Sequence, residues 1–279
     1  MYINLSGLNI LVTGASRGIG KAISTKLAEA GATVAVHYNK NVSEAENLAH
    51  ILGNESKAFQ ADLSQAEEAG KLFERVSLEM GSVEILINNA GIANPVDVLA
   101  KEEEWVKNWD QTMMVNLTSS AILCKKAIEH FLDRKAAGRI INISSRAAFR
   151  GETGEYLAYA ASKAGMVSLT RSIAKSFGQK GIKAFNIAPG FVKTDMAQAF
   201  MNQYGEEHAK GDIALERLTE PKDIAPLITF IASGMLIMPQ AQPLMSMLAA
   251  IYTASSRTHF VILKNKGILL INRYLGFPK

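Results

Sequence analysis

Short apolar runs alternate with stretches of helical period along most of this chain. Leu8–Val12 is apolar throughout and is followed by Thr13-Gly-Ala-Ser-Arg-Gly-Ile-Gly20 and a helical pattern through Ala30. Val34–Val36, Lys57–Ala61, Glu84–Ile87, Arg139–Ile143 and Lys183–Ile187 read as further strands. Between them, helical spacing covers about Ser43–Leu52, Gln65–Met80, Glu102–Asp110, Met113–Arg134, Tyr159–Phe177 and Lys222–Ala232. Gly31 and Gly81 stand where helices should stop. Strands alternating with helices imply βαβ units and a parallel sheet. The strands are continuously apolar, as strands covered on both faces must be. The pattern predicts an α/β fold, a doubly wound Rossmann-type sheet with helices on both faces. No linker or composition shift divides residues 1–235, which read as one domain.

Composition narrows the class only a little. The 279 residues are 48% hydrophobic, enough for a large core, and carry a formal charge of +4 without a dense basic run. That argues against nucleic acid as a partner and mildly favours anionic ligands. The single cysteine, Cys124, fits a reducing compartment. With neither a signal-like start nor an apolar run of membrane-spanning length, a cytoplasmic chain without a membrane partner is expected. The five histidines are scattered without ligand spacing, so no metal is expected.

Two constellations carry chemistry. Tyr159 and Lys163 are four residues apart, which on a helix stacks them on one face with Cβ atoms roughly 6 Å apart. An ammonium there would lower the phenol's pKa and suit it to general acid/base work. An incidental pair on an amphipathic helix remains the plainer alternative from those residues alone. The glycine turn Gly14-x-x-x-Gly18-x-Gly20 sits between a strand and a helix, the context of a dinucleotide-binding loop. After the second strand, an acid would hold a ribose 2′-hydroxyl and repel a 2′-phosphate. Here Tyr38, Asn39 and Lys40 follow His37, and Arg17 stands in the turn, which favours NADP over NAD.

Thr13–Gly20, Asn88-Asn-Ala-Gly91, Asn142-Ile-Ser-Ser145, Tyr159-x-x-x-Lys163 and Pro189-Gly190 occur in that order. Together they resemble the short-chain dehydrogenase/reductase family over about residues 3–235, most of all its 3-oxoacyl-[acyl-carrier-protein] reductases. The resemblance implies an NADPH-dependent enzyme acting on a carbonyl or secondary alcohol, with a small-molecule or carrier-protein-linked substrate, as a homo-tetramer or dimer. It implies catalytic roles for Tyr159 as proton donor, Lys163 as its partner and ribose ligand, Ser145 on the substrate oxygen, and Asn116 holding a relay water. The cofactor would lie on Gly14, Ser16, Arg17, Gly18, Ile19 and Gly20, with Tyr38 and Asn39 at its ribose and Asp62 and Leu63 at its adenine. Asn89, Ala90 and Gly91 would line its middle, and Pro189, Gly190, Val192 and Thr194 its nicotinamide end. Sugar and polyol dehydrogenases of the family are an alternative.

Beyond Gly234 the resemblance stops, and the family's last strand, of pattern T-G-x-x-I-x-V-N-G-G, is missing. Back-translating Ile237–Ala241 as ATC ATG CCA CAG GC and restoring one preceding G gives GAT CAT GCC ACA GGC, which encodes D-H-A-T-G. The restored frame permits the rest of that strand. Residues 237–279 are therefore expected to be a frameshifted tail, in a segment 236–279 that replaces the last strand. A divergent C-terminus with a hairpin across His259–Asn272 is the alternative. Loss of the strand also allows a nucleotide-binding protein with little turnover.

Overall fold

The computed structural model describes residues 3–204, 217–236, 261–264 and 267–270. Strands β1 (Asn9–Val12), β2 (Thr33–Tyr38), β3 (Lys57–Gln60), β4 (Ile85–Asn88), β5 (Gly138–Ile143) and β6 (Ile182–Ile187) form one sheet in the order β3-β2-β1-β4-β5-β6. Every pairing in it is parallel. This is the doubly wound Rossmann-type sheet that the alternation of runs predicts.

Side-chain alternation explains why the strands are apolar throughout. Ile10, Val12, Val34, Val36, Ile85, Ile87 and Ile141 point to one face. There they pack on α1 (Gly18–Glu29), α2 (Val42–Leu52) and α9 (Pro221–Ala232) through Ile23, Leu27, Leu48, Ile228 and Ile231. The intervening Leu11, Ala35, Leu86 and Ile140 point to the other face. They meet α3 (Ala66–Met80), α5 (Ser119–Asp133) and α7 (Leu157–Phe177) through Leu72, Phe73, Val76, Leu123, Phe131 and Ile173. Burying one such side chain contributes roughly 1.5–3 kcal/mol, so neither face tolerates a charge.

Among the described residues the remaining α-helices are α4 (Glu102–Met113), α6 (Ala147–Arg150) and α8 (Asp195–Tyr204). Three features differ from the expected pattern. The helix expected over Met113–Arg134 is interrupted at its start by a π-helical turn, Met114–Thr118, between α4 and α5. Both α6 and α8 lie where the sequence pattern predicts no helix, after β5 and β6 respectively. A short antiparallel hairpin, β7 (Val261–Lys264) with β8 (Gly267–Leu270), stands apart from the main sheet. It falls within the hairpin of the divergent-terminus reading. The codon at Ile237, on which the frameshift reading turns, belongs to a residue outside the described ones. Among the described residues, β6 is an edge of the sheet.

Topology also fixes where a ligand can sit. β1 lies between β2 and β4, so the chain leaves the sheet in opposite directions on either side of it. The crevice at the carboxyl ends of β1 and β4 is the ligand position of such sheets.

Candidate active site

The glycine turn leaves β1 at that crevice. Gly14 has φ +60° and Gly18 φ +53°, conformations that side chains with a Cβ rarely adopt. At Gly20 space decides. A Cβ there would lie 2.2 Å from the Gly14 carbonyl oxygen and 2.6 Å from Asn89 Nδ2. Arg17 occupies the N-cap of α1 without a side-chain cap, so the first amides of the helix keep their donors for an anion. Ser16 lies in the turn, and Ile19 packs against the core beneath it. A second residue stretch closes the turn from β4. Asn89 Nδ2 donates to the carbonyls of Thr13 (2.9 Å) and Gly14 (3.1 Å). Thr13 Oγ1 accepts the amides of Asn89 (2.9 Å) and Ala90 (3.0 Å). The result is a tight backbone cradle, closed to a side chain at Gly20, which fits the pyrophosphate of a dinucleotide.

At the end of β2, Tyr38 is partly buried while Asn39 and Lys40 are exposed. No carboxylate occupies those positions. The nearest one, Asp62, follows β3. It accepts the Ser64 amide at 3.0 Å and Asn39 Nδ2 at 3.4 Å. The Ser64 amide above all, with help from Lys40, holds the Asp62 carboxyl below its ordinary range. Leu63 beside it is buried in the core. Arg17 pairs with Asp195 at 3.5 Å, with both side chains largely exposed. Asp195 was not a sequence candidate; it lies at the start of α8, in a stretch that read as a loop.

The π turn places Asn116. Its Oδ1 accepts the Ile92 amide at 2.8 Å, and its Nδ2 donates to the Ile92 carbonyl at 2.9 Å and to Ser162 Oγ at 3.0 Å. Asn116 is fully buried and fastens the segment after Gly91 to α7. A Cβ on Gly91 would lie 3.2 Å from both Asn116 Oδ1 and Lys163 Nζ, so this glycine too marks a close approach. Such π turns recur at functional sites because the extra residue re-aims side chains.

Ser144 and Ser145 divide cleanly. Ser144 Oγ donates to the Ile187 carbonyl (3.2 Å) and accepts from Asn186 (2.9 Å), which ties β5 to β6. Ser145 instead accepts the Ala147 amide at 3.1 Å and lies close enough to Tyr159 to make its phenol more acidic. Tyr159, in the first turn of α7, is partly exposed, while Lys163 is buried. The electrostatics differ from the expected pair. Desolvation raises the Tyr159 phenol above its ordinary value, and the nearby Ser145 hydroxyl pulls it partly back. Lys163 Nζ lies 5.8 Å from the Tyr159 ring centroid and donates to the Ile143 carbonyl at 3.0 Å. Burial lowers the lysine to about 8. In this state, Ser145 and burial set the phenol's acidity, and the lysine's proton is directed at the backbone.

The segment after β6 closes the far side. The Pro189 carbonyl accepts the Arg146 amide (3.0 Å), and Gly190 lies open beside it. Val192 bridges to Thr219. Thr194 Oγ1 accepts the Ala197 amide (3.3 Å) at the start of α8, and its methyl lies 3.5 Å from where a Gly18 Cβ would be. Of the residues passed over in the sequence, His37 is the most notable. Its ring is buried under the glycine turn, and a histidine on an otherwise apolar strand was the available signal. Cys124 is packed among apolar residues, and burial pushes its thiol up to about 12. Trp105 and Trp109 stack with centroids 5.2 Å apart on α4.

A parallel sheet in this order, with a glycine cradle facing a Ser–Tyr–Lys cluster, defines a dinucleotide-dependent oxidoreductase architecture. The sequence profile described as short chain dehydrogenase matches residues 8–205, and the chain belongs to that family, oxidoreductases acting on CH–OH groups. It is 36% identical over 231 residues to the 3-oxoacyl-[acyl-carrier-protein] reductase FabG of Vibrio cholerae, covering 83% of this chain and 92% of that one. FabG of Aquifex aeolicus is 32% identical over 84% of this chain and 93% of its own. Among solved structures, a dehydrogenase/reductase from Sinorhizobium meliloti superposes with TM-score 0.77 at 31% identity, covering 85% of this chain and 93% of that one. A short chain dehydrogenase from Burkholderia cenocepacia, in complex with NADP, gives TM-score 0.74 at 30% identity, covering 82% and 91%. Among the described residues, no helix is long and apolar enough to cross a membrane, and no cluster of metal-ligating side chains occurs.

Proposed function

We propose that the protein is an NADPH-dependent carbonyl reductase of the 3-oxoacyl-carrier-protein type. The observation that carries the reading is the convergence of Tyr159, Ser145 and Lys163, with Lys163 and Asn116 meeting at Gly91 beside the glycine turn. A bound nicotinamide dinucleotide supplies the hydride. Ser145 and Tyr159 hold the substrate oxygen from one side, and the Tyr159 hydroxyl gives its proton to that oxygen as charge develops there. A phenol that carries its proton near neutral pH suits the donor role in reduction. Lys163, whose ammonium approaches Gly91, would hold the ribose hydroxyls of a bound dinucleotide. Asn116 keeps the Ile92 segment in place. Arg17 and Lys40, with no acid at the end of β2, favour a 2′-phosphate. The FabG relatives support the acyl-thioester substrate class, and residues 1–235 are proposed as the catalytic domain.

The test is NADPH oxidation with an acetoacetyl thioester, comparing the wild type with Tyr159→Phe. Turnover should fall by about 10²-fold or more while NADPH still binds, since only the proton donor is removed. A variant that keeps most of the activity would refute the assignment. NADPH binding without turnover in the wild type itself would favour the second reading, a nucleotide-binding protein.

A further inference from the structure

His37 carries out no step of that chemistry, yet it joins the places where the dinucleotide's two ends of the adenosine half would rest. It lies on β2, one residue before Tyr38, and is 2% exposed. Its Nδ1 accepts the Gly14 amide at 2.9 Å, and its own backbone carbonyl accepts the Ala15 amide at 2.9 Å. Its Nε2 lies 3.1 Å from the carbonyl oxygen of Ala61, the residue before Asp62. These partners fix the tautomer. A backbone amide can only donate, so Nδ1 is bare; a carbonyl can only accept, so Nε2 carries the hydrogen. The opening of the glycine turn is thereby tied through one ring to the end of β3.

We propose that His37 is a positioning residue for the dinucleotide, a neutral Nε2–H imidazole that sets the glycine turn relative to the adenine-side residues after β3. The inference rests on the proposed dinucleotide site. Its physical basis is that, among the described residues, the Gly14 amide has no other partner: without an acceptor at Nδ1, the turn keeps a buried donor unsatisfied or moves to find another. A second proton on the ring would set two donors against each other across 2.9 Å in a buried site. Burial accordingly lowers the ring to about 4; Arg75 of α3 also lowers it, while the Ala61 hydrogen bond and Asp62 act in the opposite direction.

Asparagine and glutamine separate the two hydrogen bonds. The asparagine amide overlays Nδ1 and can accept from Gly14, whereas the glutamine amide, one carbon longer, overlays Nε2 and can donate to Ala61. NADP+ dissociation constants are measured by calorimetry at pH 7 for the wild type, H37L, H37N and H37Q, with melting temperatures alongside. Nitrogen-15 imidazole shifts are recorded on the cofactor-free wild type. H37L should bind NADP+ about tenfold or more weakly, H37N should recover to within about threefold of wild type, and H37Q should resemble H37L. The imidazole should show the Nε2–H tautomer and no titration near 6.5. Wild-type affinity in H37L, equal affinities in H37N and H37Q, or a ring titrating near 6.5 would each overturn the proposal. Should H37L fail to fold, the comparison of H37N with H37Q decides. A wild-type protein that binds neither NADP+ nor NAD+ removes the dinucleotide reading and this one with it; binding in the wild type with H37L unimpaired removes this one alone.

Discussion

Replacing Lys163 by methionine should stabilise the protein near neutral pH while weakening its function. Lys163 is 4% exposed, and desolvation lowers its folded-state pKa from 10.5 to about 8. Above 10.5 the side chain is neutral whether folded or not, and burial of the amine costs nothing through this linkage. Between about 10.5 and 8 the unfolded chain takes up a proton that the folded chain does not, so stability falls as pH falls. Below 8 both forms are charged and the full cost, about 3 kcal/mol at 1.36 kcal/mol per pKa unit, applies. At pH 10 only about 1 kcal/mol of it is present. Methionine has a similar length and no charge, but it leaves the Ile143 carbonyl without the donor now at 3.0 Å. The part of that loss that depends on the lysine's charge is already contained in its folded-state pKa, and the remainder is the same at both pH values and cancels. The assay is urea unfolding of the cofactor-free wild type and Lys163→Met at pH 7 and pH 10. The change caused by the substitution should be about 2.5 kcal/mol more favourable to the variant at pH 7 than at pH 10. A pH-independent change, or one of opposite sign, would show that Lys163 does not bear the burial cost inferred here. If it does, the lysine is kept against stability, as groups at active sites commonly are.

The remaining predictions concern the cofactor cradle and the C-terminus. Tyr38→Asp places a carboxylate at the end of β2 and should shift preference from NADPH toward NADH by about tenfold or more; unchanged relative dissociation constants would refute the role of that position. Gly20→Ala forces a methyl against the Gly14 carbonyl and Asn89, so it should cost about 1–3 kcal/mol in thermal or urea unfolding and abolish measurable NADPH binding. A variant that binds normally would mean the turn can widen. Restoring one base before codon 237 should supply a strand beside β6 and raise the melting temperature and solubility relative to the 279-residue chain; equal behaviour in thermal unfolding and size-exclusion chromatography would identify 237–279 as a working terminus.

Much of the fold was legible because buried parallel strands and amphipathic helices leave different periods in a sequence. Ile10, Leu11 and Val12 read as one apolar run because their neighbours on both faces are apolar. The glycine turn was legible for a related reason: only glycine fits at position 20, so steric necessity is written directly as residue type. The features that stayed hidden depend on which of several available partners a polar group takes. The four-residue spacing brings Lys163 near the Tyr159 ring, but it does not say that Nζ will donate to Ile143 and leave Ser145 to tune the phenol. Helical period likewise cannot register the extra residue of the π turn at Met114–Thr118, since the apolar face continues on either side of it. Yet that turn is what aims Asn116 at Ile92 and Ser162.

The same distinction accounts for the site's division of labour. Positions defined by space, such as Gly14, Gly20 and Gly91, form the cradle. Positions defined by hydrogen-bond choice, such as His37, Asn116 and Ser144, fasten its walls: β2 to the glycine turn, the β4 loop to α7, and β5 to β6. Each of these ties satisfies buried polar groups that would otherwise oppose folding. The cluster of Ser145, Tyr159 and Lys163 therefore stands between segments whose spacing is set by bonds outside it. A substitution at a fastening residue should move the reacting groups relative to one another without removing any of them.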